Sequence, residues 1–323
     1  MLLALGLVLL GLTLLAVGGE ALVRGSVALA RLAGLTPAVI GLTVVALGTS
    51  LPELVVSVIA SLGGQPDLSV GNVVGSNIIN ISFILGLAAL LIPLPITGNA
   101  VKVEWPVMFL AMLVFAVWSR DNEITRVEAG LMLVLLVLVT ANAIRLARAE
   151  VGASEATQLD QEVEELALRG PGSPSTLAVV YTVVGIGLLL LGGKYLVDGA
   201  VRLAEIAGMS ERIIGLTIVA GGTSAPEIAT TVVAALRKRS DIAIANLLGS
   251  NIMNTLGIVG VAGAIHPLRV SPAMLASDLW WMLAGALILF VLLWFRKSLS
   301  RIDGAVLVGF YAVYLGLLIG VVR

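Results

Sequence analysis

Ten stretches of about 20 apolar residues, the length a helix needs to cross a bilayer, constrain this chain of 323 residues more than any single motif in it. They cover about 2–32, 37–62, 69–92, 104–119, 125–146, 175–206, 213–237, 242–265, 273–295 and 302–322. Composition points the same way, with 59% hydrophobic and 12% charged residues, where soluble domains carry about a quarter charged. The expected fold class is an all-α polytopic membrane protein. The first and sixth stretches are too long for a perpendicular span and should tilt or project. Met1 to Val17 lacks the basic start of a secretory signal and reads as a retained first span.

Several function classes drop out early. A net charge of −1 gives no basic surface for nucleic acid. With no Cys and one His, there is no disulfide framework, thiolate site or multi-histidine zinc site, so metal chemistry must rest on oxygen ligands. No cofactor is expected. No Gly-x-Ser-Gly nucleophile motif accompanies the single His266, which adjoins Pro267 and reads as a loop residue, so an intramembrane hydrolase has no catalytic pair and the chain is not read as an enzyme.

One polar region interrupts the apolar pattern, from Arg148 to Pro174. Leu159, Val163 and Leu166 allow a short amphipathic helix there. Its acidic residues lack the alternating Asp and the glycine of an EF-hand loop, so it reads as a solvated linker. The linker, 148–174, divides the chain into 1–147 and 175–323, with five spans each.

Those halves repeat. Gly48-Thr49-Ser50-Leu51-Pro52-Glu53 recurs 174 residues later (222 − 48) as Gly222-Thr223-Ser224-Ala225-Pro226-Glu227. The same offset lays Gly75-Ser76-Asn77-Ile78-Ile79-Asn80 on Gly249-Ser250-Asn251-Ile252-Met253-Asn254, and roughly half of 41–86 is identical to 215–260 without a gap. An odd number of spans per half sends the second half into the membrane from the opposite side, so ten helices in two inverted five-helix repeats are expected. Basic residues gather beside the odd-numbered connections and the linker, among them Arg145, Arg148, Arg237, Lys238, Arg239, Arg296, Lys297 and Arg301. This places the linker in the cytoplasm and both termini outside.

A carboxylate deep in a membrane costs about 3 kcal/mol on insertion scales, so Glu53 and Glu227 need a reason to be there. Each follows a proline, which removes a backbone donor and clashes four residues back, so each helix should kink and free carbonyls around Ala46 and Ala220. Irregular backbone at membrane depth is tolerated where it lines a cavity or is buried in protein. Thr49, Ser50, Thr223 and Ser224 add oxygens on the same turns. In the following span Ser76 and Asn80, or Ser250 and Asn254, are four apart on one helix face. Two carboxylates, two amides, several hydroxyls and loose carbonyls suit calcium, which takes 6–8 oxygens, or sodium of similar size, better than magnesium.

Blander readings stand beside this one. A Pro-Glu pair can be a simple kink with a snorkelling acid, although two copies in register argue against it. Asn80 and Asn254 can serve as interhelical hydrogen-bond glue. Glu20 with Arg24, and Lys194 with Asp198, read as structural i, i+4 pairs, with gating as the alternative. Asp67 and Asp241 read as helix caps, or as charges at an ion mouth.

The paired motifs resemble the signature of the cation/calcium antiporter superfamily, sodium/calcium exchanger branch of prokaryotic type, across both halves of the chain. The resemblance implies ten helices in which the second, third, seventh and eighth build the ion site while the first and sixth slide to alternate access. It implies that Glu53 and Glu227 bind both calcium and the counter-ion, joined by Thr49, Ser50, Ser76, Thr223, Ser224, Ser250 and the carbonyls of Ala46 and Ala220. Asn254 departs from the Asp found there in some archaeal sodium/calcium exchangers and in the potassium-dependent branch, which argues against potassium co-transport. The expected function is calcium/sodium antiport in the plasma (inner) membrane, by a chain functional as a monomer in lipid. Proton/calcium exchange is the alternative, because two carboxylates balance one calcium or two protons. A cation channel is a further class, though channels usually complete a pore with a ring of subunits.

Overall fold

A computed structural model describes residues 1–63, 66–96, 100–150, 174–206, 220–296 and 298–321. Its helices are α1 (Leu2–Ala33), α2 (Pro37–Thr49), α3 (Leu51–Leu62), α4 (Leu68–Leu91), α5 (Ala100–Asp121), α6 (Arg126–Glu150), α7 (Pro174–Ile206), α8 (Ala220–Thr223), α9 (Ala225–Leu236), α10 (Ser240–Ile265), α11 (Met274–Phe295) and α12 (Arg301–Val321). Among the described residues eight helices are long and apolar enough to cross a membrane, and the broken pair α2 and α3 makes a ninth span. These nine fall on nine of the ten apolar stretches, within a few residues. Of the remaining stretch, 213–237, only α8 and α9 are described, and most of the linker, 151–173, lies outside the described residues.

The helices carry apolar side chains on their outer faces, such as Leu9 and Val17 on α1, Val134 and Val137 on α6, and Val179 and Val183 on α7, all exposed. Polar side chains are buried instead. Ser57, Asn77, Thr230, Asn246 and Asn251 all lie inside. This inverts the soluble pattern and suits a lipid surround.

The chain packs as two compact units, each drawing on both sequence halves: Met1–Thr49 with Thr140–Asn246, and Ser50–Val139 with Leu247–Arg323. In the first unit α1 and α7 run antiparallel in close contact along Gly11, Gly18 and Gly25 on one side and Gly185, Gly192 and Gly199 on the other. Small residues let backbones approach. A Cβ on Gly18 would lie 2.9 Å from the Leu189 backbone nitrogen, and one on Gly185 would lie 2.6 Å from that of Leu22. Around this seam Leu15, Leu22, Val39, Ile40, Val45 and Leu189 form an apolar core.

The second unit holds α3, α4, α5, α11 and α12 with parts of α6 and α10. Two antiparallel ladders of two residues tie its connections, Leu94–Pro95 with Ser298–Leu299 and Glu123–Ile124 with Leu268–Arg269. Trp105 stacks on Phe109 and Phe290 and donates its indole N–H to the Ala286 carbonyl at 2.8 Å.

Several helices widen locally into π-helix, at Gly41–Val45, Ile79–Ile84, Ala100–Glu104, Met253–Ile258 and Met274–Asp278. The second and fourth, and the third and fifth, are 174 residues apart (253 − 79 and 274 − 100). The counterpart of the first, 215–219, lies outside the described residues. Such widenings cost hydrogen-bond geometry and cluster at functional sites.

Candidate functional site

The Gly-Thr-Ser-x-Pro-Glu segments interrupt their helices at the serine. Ser50 has φ −82° and ψ 8° between α2 and α3, and Ser224 has φ −84° and ψ 8° between α8 and α9. The expected kink is therefore present, two residues before the proline. Pro52 and Pro226 then sit in the first turn of a new helix, where a missing N–H costs nothing. Glu53 and Glu227 fall in that same first turn, where the positive end of the helix dipole favours a carboxylate. Both are 1% exposed.

In the first unit Ala46 and Thr49, at the end of α2, are buried, and that turn packs against α9, which carries Glu227. The Thr49 hydroxyl donates to the Ala46 carbonyl at 3.4 Å and lies 3.5 Å from Asn246 Oδ1. Asn246 Nδ2 in turn faces Thr231 Oγ1 at 3.5 Å. Ser224 is buried and Thr223 half-buried. Ala220 opens α8.

In the second unit α3, which carries Glu53, packs on α4 with Ser76 and on the Met253–Ile258 turn of α10 with Asn254. Asn72 Nδ2 donates to the Glu53 backbone carbonyl at 3.1 Å and to Ser57 Oγ at 3.0 Å, tying α4 to the first turns of α3. Ser50, Ser76, Asn80, Ser250 and Asn254 are all buried. Asn80 and Asn254 each sit in a π-helical turn, so regular α-helix does not continue from Ser76 and Ser250 through to them. Asn254 Nδ2 donates to Asn77 Oδ1 at 3.2 Å, and Asn80 Nδ2 faces Asn251 Oδ1 at 3.5 Å. That leaves Asn80 Oδ1, Asn254 Oδ1 and Ser250 Oγ buried without a hydrogen-bond partner among the described residues. Interhelical bonding and spare oxygens thus coexist on the same side chains.

Other sequence readings resolve differently. Arg24 Nε donates to Glu20 Oε1 at 2.6 Å as expected, and Arg237 joins the same carboxylate, its Nε donating to Oε2 at 2.8 Å. The expected Lys194–Asp198 pair does not form among the described residues. Each of those two side chains is exposed and can stay solvated. Asp241 lies in the first turn of α10 but is held by Arg239 at 2.7 Å rather than shown as a cap, and the Asp67 side chain lies outside the described residues. His266 is exposed in its loop, with Nδ1 2.9 Å from the Pro267 carbonyl.

The sequence reading missed Asn72, Asn246, Ser57 and Thr231 as anchors, although 72 and 246, like 57 and 231, are 174 apart (246 − 72, 231 − 57). No group of three or more His, Cys, Asp or Glu side chains able to hold a metal occurs among the described residues. Any cation bound by the motif residues would therefore depend heavily on neutral oxygens.

Residues 3–145 and 177–320 match the family model for sodium/calcium exchanger proteins. The inner membrane protein YrbG of Escherichia coli is 36% identical over 273 residues, covering 84% of this chain and 82% of that one. The putative antiporter CaxA of Alkalimonas amylolytica is 36% identical over 262 residues, covering 80% and 81%. The sodium/calcium exchanger MaX1 of Methanosarcina acetivorans is 32% identical over 298 residues, covering 83% and 84%. A solved structure of the sodium-calcium exchanger NCX_Mj, soaked with zero Na+ and Ca2+, matches with a TM-score of 0.84 at 28% identity, over 98% of this chain and 99% of that one.

Proposed function

The chain belongs to the sodium/calcium exchanger family, and from that membership we propose that it is a secondary active antiporter exchanging calcium for sodium by alternating access. The observations that carry the reading are the buried oxygens left over at Asn80, Asn254 and Ser250 and the presence of two motifs that each bury a carboxylate. Buried polar atoms without partners are costly, and a dehydrated cation is the group that would satisfy them. In this reading Glu53 and Glu227 supply the charge. Asn80, Asn254, Thr49, Ser50, Ser76, Thr223, Ser224 and Ser250 supply neutral oxygens, with the carbonyls of Ala46 and Ala220. An empty site would carry two carboxylate charges through a low-dielectric interior with no cation to balance them, so the unloaded carrier crosses poorly and exchange is coupled.

The same reading extends to topology. Ten spans in two inverted repeats, 1–147 and 175–323, with a cytoplasmic linker at 148–174 and outward termini, accord with the serine breaks and π-helical turns shared at one offset. One chain carries both motif copies, which supports a functional monomer. Because the chain has no Cys, single cysteines placed in the linker and at Arg323 report sidedness directly by labelling with an impermeant thiol reagent.

The deciding experiment is calcium uptake into proteoliposomes under an imposed sodium gradient or an imposed proton gradient. Uptake driven by sodium supports the proposal, and uptake driven only by protons replaces it with proton/calcium exchange, which the two-carboxylate arithmetic favours. Calcium flux with no counter-ion on the far side would indicate a channel instead.

A further inference from the structure

The spare oxygens of Asn80 and Asn254 raise a question of polarity. An amide has two ends of nearly equal size, one accepting and one donating, and only the accepting end suits a cation. Something must keep the NH2 groups turned away.

The neighbouring asparagines do this directly, because Asn77 Oδ1 takes the Asn254 NH2 and Asn251 Oδ1 takes the Asn80 NH2. What fixes those two lies one step further out. Asn77 Nδ2 donates to Met282 Sδ at 3.6 Å, and Asn251 Nδ2 donates to Met108 Sδ at 3.6 Å. A thioether sulfur carries no hydrogen and can only accept. Each of these asparagines must therefore point its NH2 at the sulfur and its oxygen the other way. Met108 and Met282, Asn77 and Asn251, and Asn80 and Asn254 are all 174 residues apart (282 − 108, 251 − 77, 254 − 80), and all six are buried within one compact unit.

We propose that Met108 with Asn251, and Met282 with Asn77, are positioning residues that set the polarity of Asn80 and Asn254, presenting amide oxygens and not amide nitrogens to the transported cation. The proposal rests on the ion-site reading above. Flipping either outer amide would place two hydrogen-free acceptors, sulfur and oxygen, face to face, and would turn a partly positive NH2 toward the ion.

The two arms differ in how firmly the outer amide is anchored, not in what sets its orientation. Asn77 has a second acceptor, Thr255 Oγ1 at 2.9 Å. At the corresponding place in the first half, position 81 (255 − 174), stands Ile81, so no matching hydroxyl backs Asn251. The Asn80–Asn251 contact is also longer, 3.5 Å against 3.2 Å for Asn254–Asn77. A threonine hydroxyl can accept or donate, so Thr255 anchors the Asn77 amide in either orientation, and among the described residues the acceptor-only partner that chooses the orientation is Met282 on this arm and Met108 on the other.

Methionine to leucine nearly conserves volume while removing the acceptor. The full-length chain in proteoliposomes is assayed for the KM and Vmax of calcium uptake. Met108→Leu should raise the calcium KM about 10-fold, the lower end for lost outer-shell support of a metal ligand, with Vmax nearly kept. Met282→Leu should raise it likewise, and Thr255→Val, which removes an anchor but leaves the acceptor-only sulfur, should raise it less than either. A role in packing alone would not produce that order. Unchanged calcium KM in a folded Met108→Leu or Met282→Leu protein, or an effect of Thr255→Val as large as theirs, would overturn the proposal. If Met108→Leu does not assemble, Met282→Leu decides, and an unchanged calcium KM there overturns it equally. Glu53→Gln is run in parallel. Retained exchange in that variant rejects the ion-site reading itself, whereas lost exchange beside unaffected methionine variants rejects only the polarity relay.

Discussion

The two copies of the Gly-Thr-Ser-x-Pro-Glu segment break their helices with nearly the same backbone, yet their surroundings are secured differently. In the first copy Asn72 grips the Glu53 carbonyl and Ser57 at 3.1 and 3.0 Å. Its counterpart Asn246 makes looser contacts of 3.5 Å, with Thr231 and with Thr49. At the far end of α9, Arg237 binds Glu20, while the matching positions are Gly63 in the first half and Lys194 in the second (237 − 174, 20 + 174). The duplication kept the groups that carry acids and spare oxygens and let the anchoring of the helices diverge. The anchoring positions recur at the same offset, but the bonds made there differ.

The strongest way to break that comparison is to remove one acid at a time. Glu53→Gln and Glu227→Gln keep shape and delete charge, and each is expected to abolish calcium exchange in proteoliposomes. Flux retained in one of them would mean that the copies are not equivalent. The glycine seam comes next, as a test of fold rather than site. Gly18→Val should prevent folding, because its Cβ would meet the Leu189 backbone, whereas Gly187→Ala has open space around it and should purify as a monodisperse protein.

Asn254→Asp sharpens the site comparison, since it adds a charge to one copy only. Ligand charge tunes calcium affinity over decades, so the ratio of calcium to sodium half-saturation should move about 10-fold or more. An unchanged ratio would place Asn254 outside the ion's reach. A smaller contrast is expected at the anchors. Asn72→Ala loses two well-formed hydrogen bonds, at a cost of about 1–3 kcal/mol, and should lower thermal stability more than Asn246→Ala, whose contacts lie at the outer limit of hydrogen bonding.

The spans were legible because a bilayer demands about 20 apolar residues in a row, and the breaks at the motif because proline and glycine weaken a helix in any context. The candidate site residues were legible as letters, through the repeat. Their geometry was not. Spacing alone put Ser76 with Asn80, and Ser250 with Asn254, on one face of a regular helix, whereas the structure widens Ile79–Ile84 and Met253–Ile258 into π-helix. The contacts of Asn77 and Asn251 with Met282 and Met108 had no sign in the sequence, because an apolar methionine in an apolar helix marks no partner. The glycines at 11, 18 and 25 and at 185, 192 and 199 were visible in principle, because the offset of 174 aligns them (185 − 11), but an apolar helix rich in glycine carries no other sign of its partner.

The mildest contrast lies at the ends of the long helices, where sequence suggested two equivalent ion pairs. Glu20 is shared by Arg24 and Arg237, with half-exposed partners, so Arg237→Ala should cost about 1 kcal/mol or less in thermal stability. Arg237 nevertheless joins α1 to the end of α9, and the helix bearing Glu227 is the one it ties down. If that tie also restrains movement of α1 during exchange, Arg237→Ala should change the rate of calcium uptake while leaving the calcium KM alone. Lys194→Ala, at the corresponding position in the other half, removes no ion pair with Asp198 and should leave both rate and stability unchanged. Equal rate effects from the two substitutions would show that both ends move against restraints the ion pairs do not supply, and the mechanical asymmetry between the halves would then be lost.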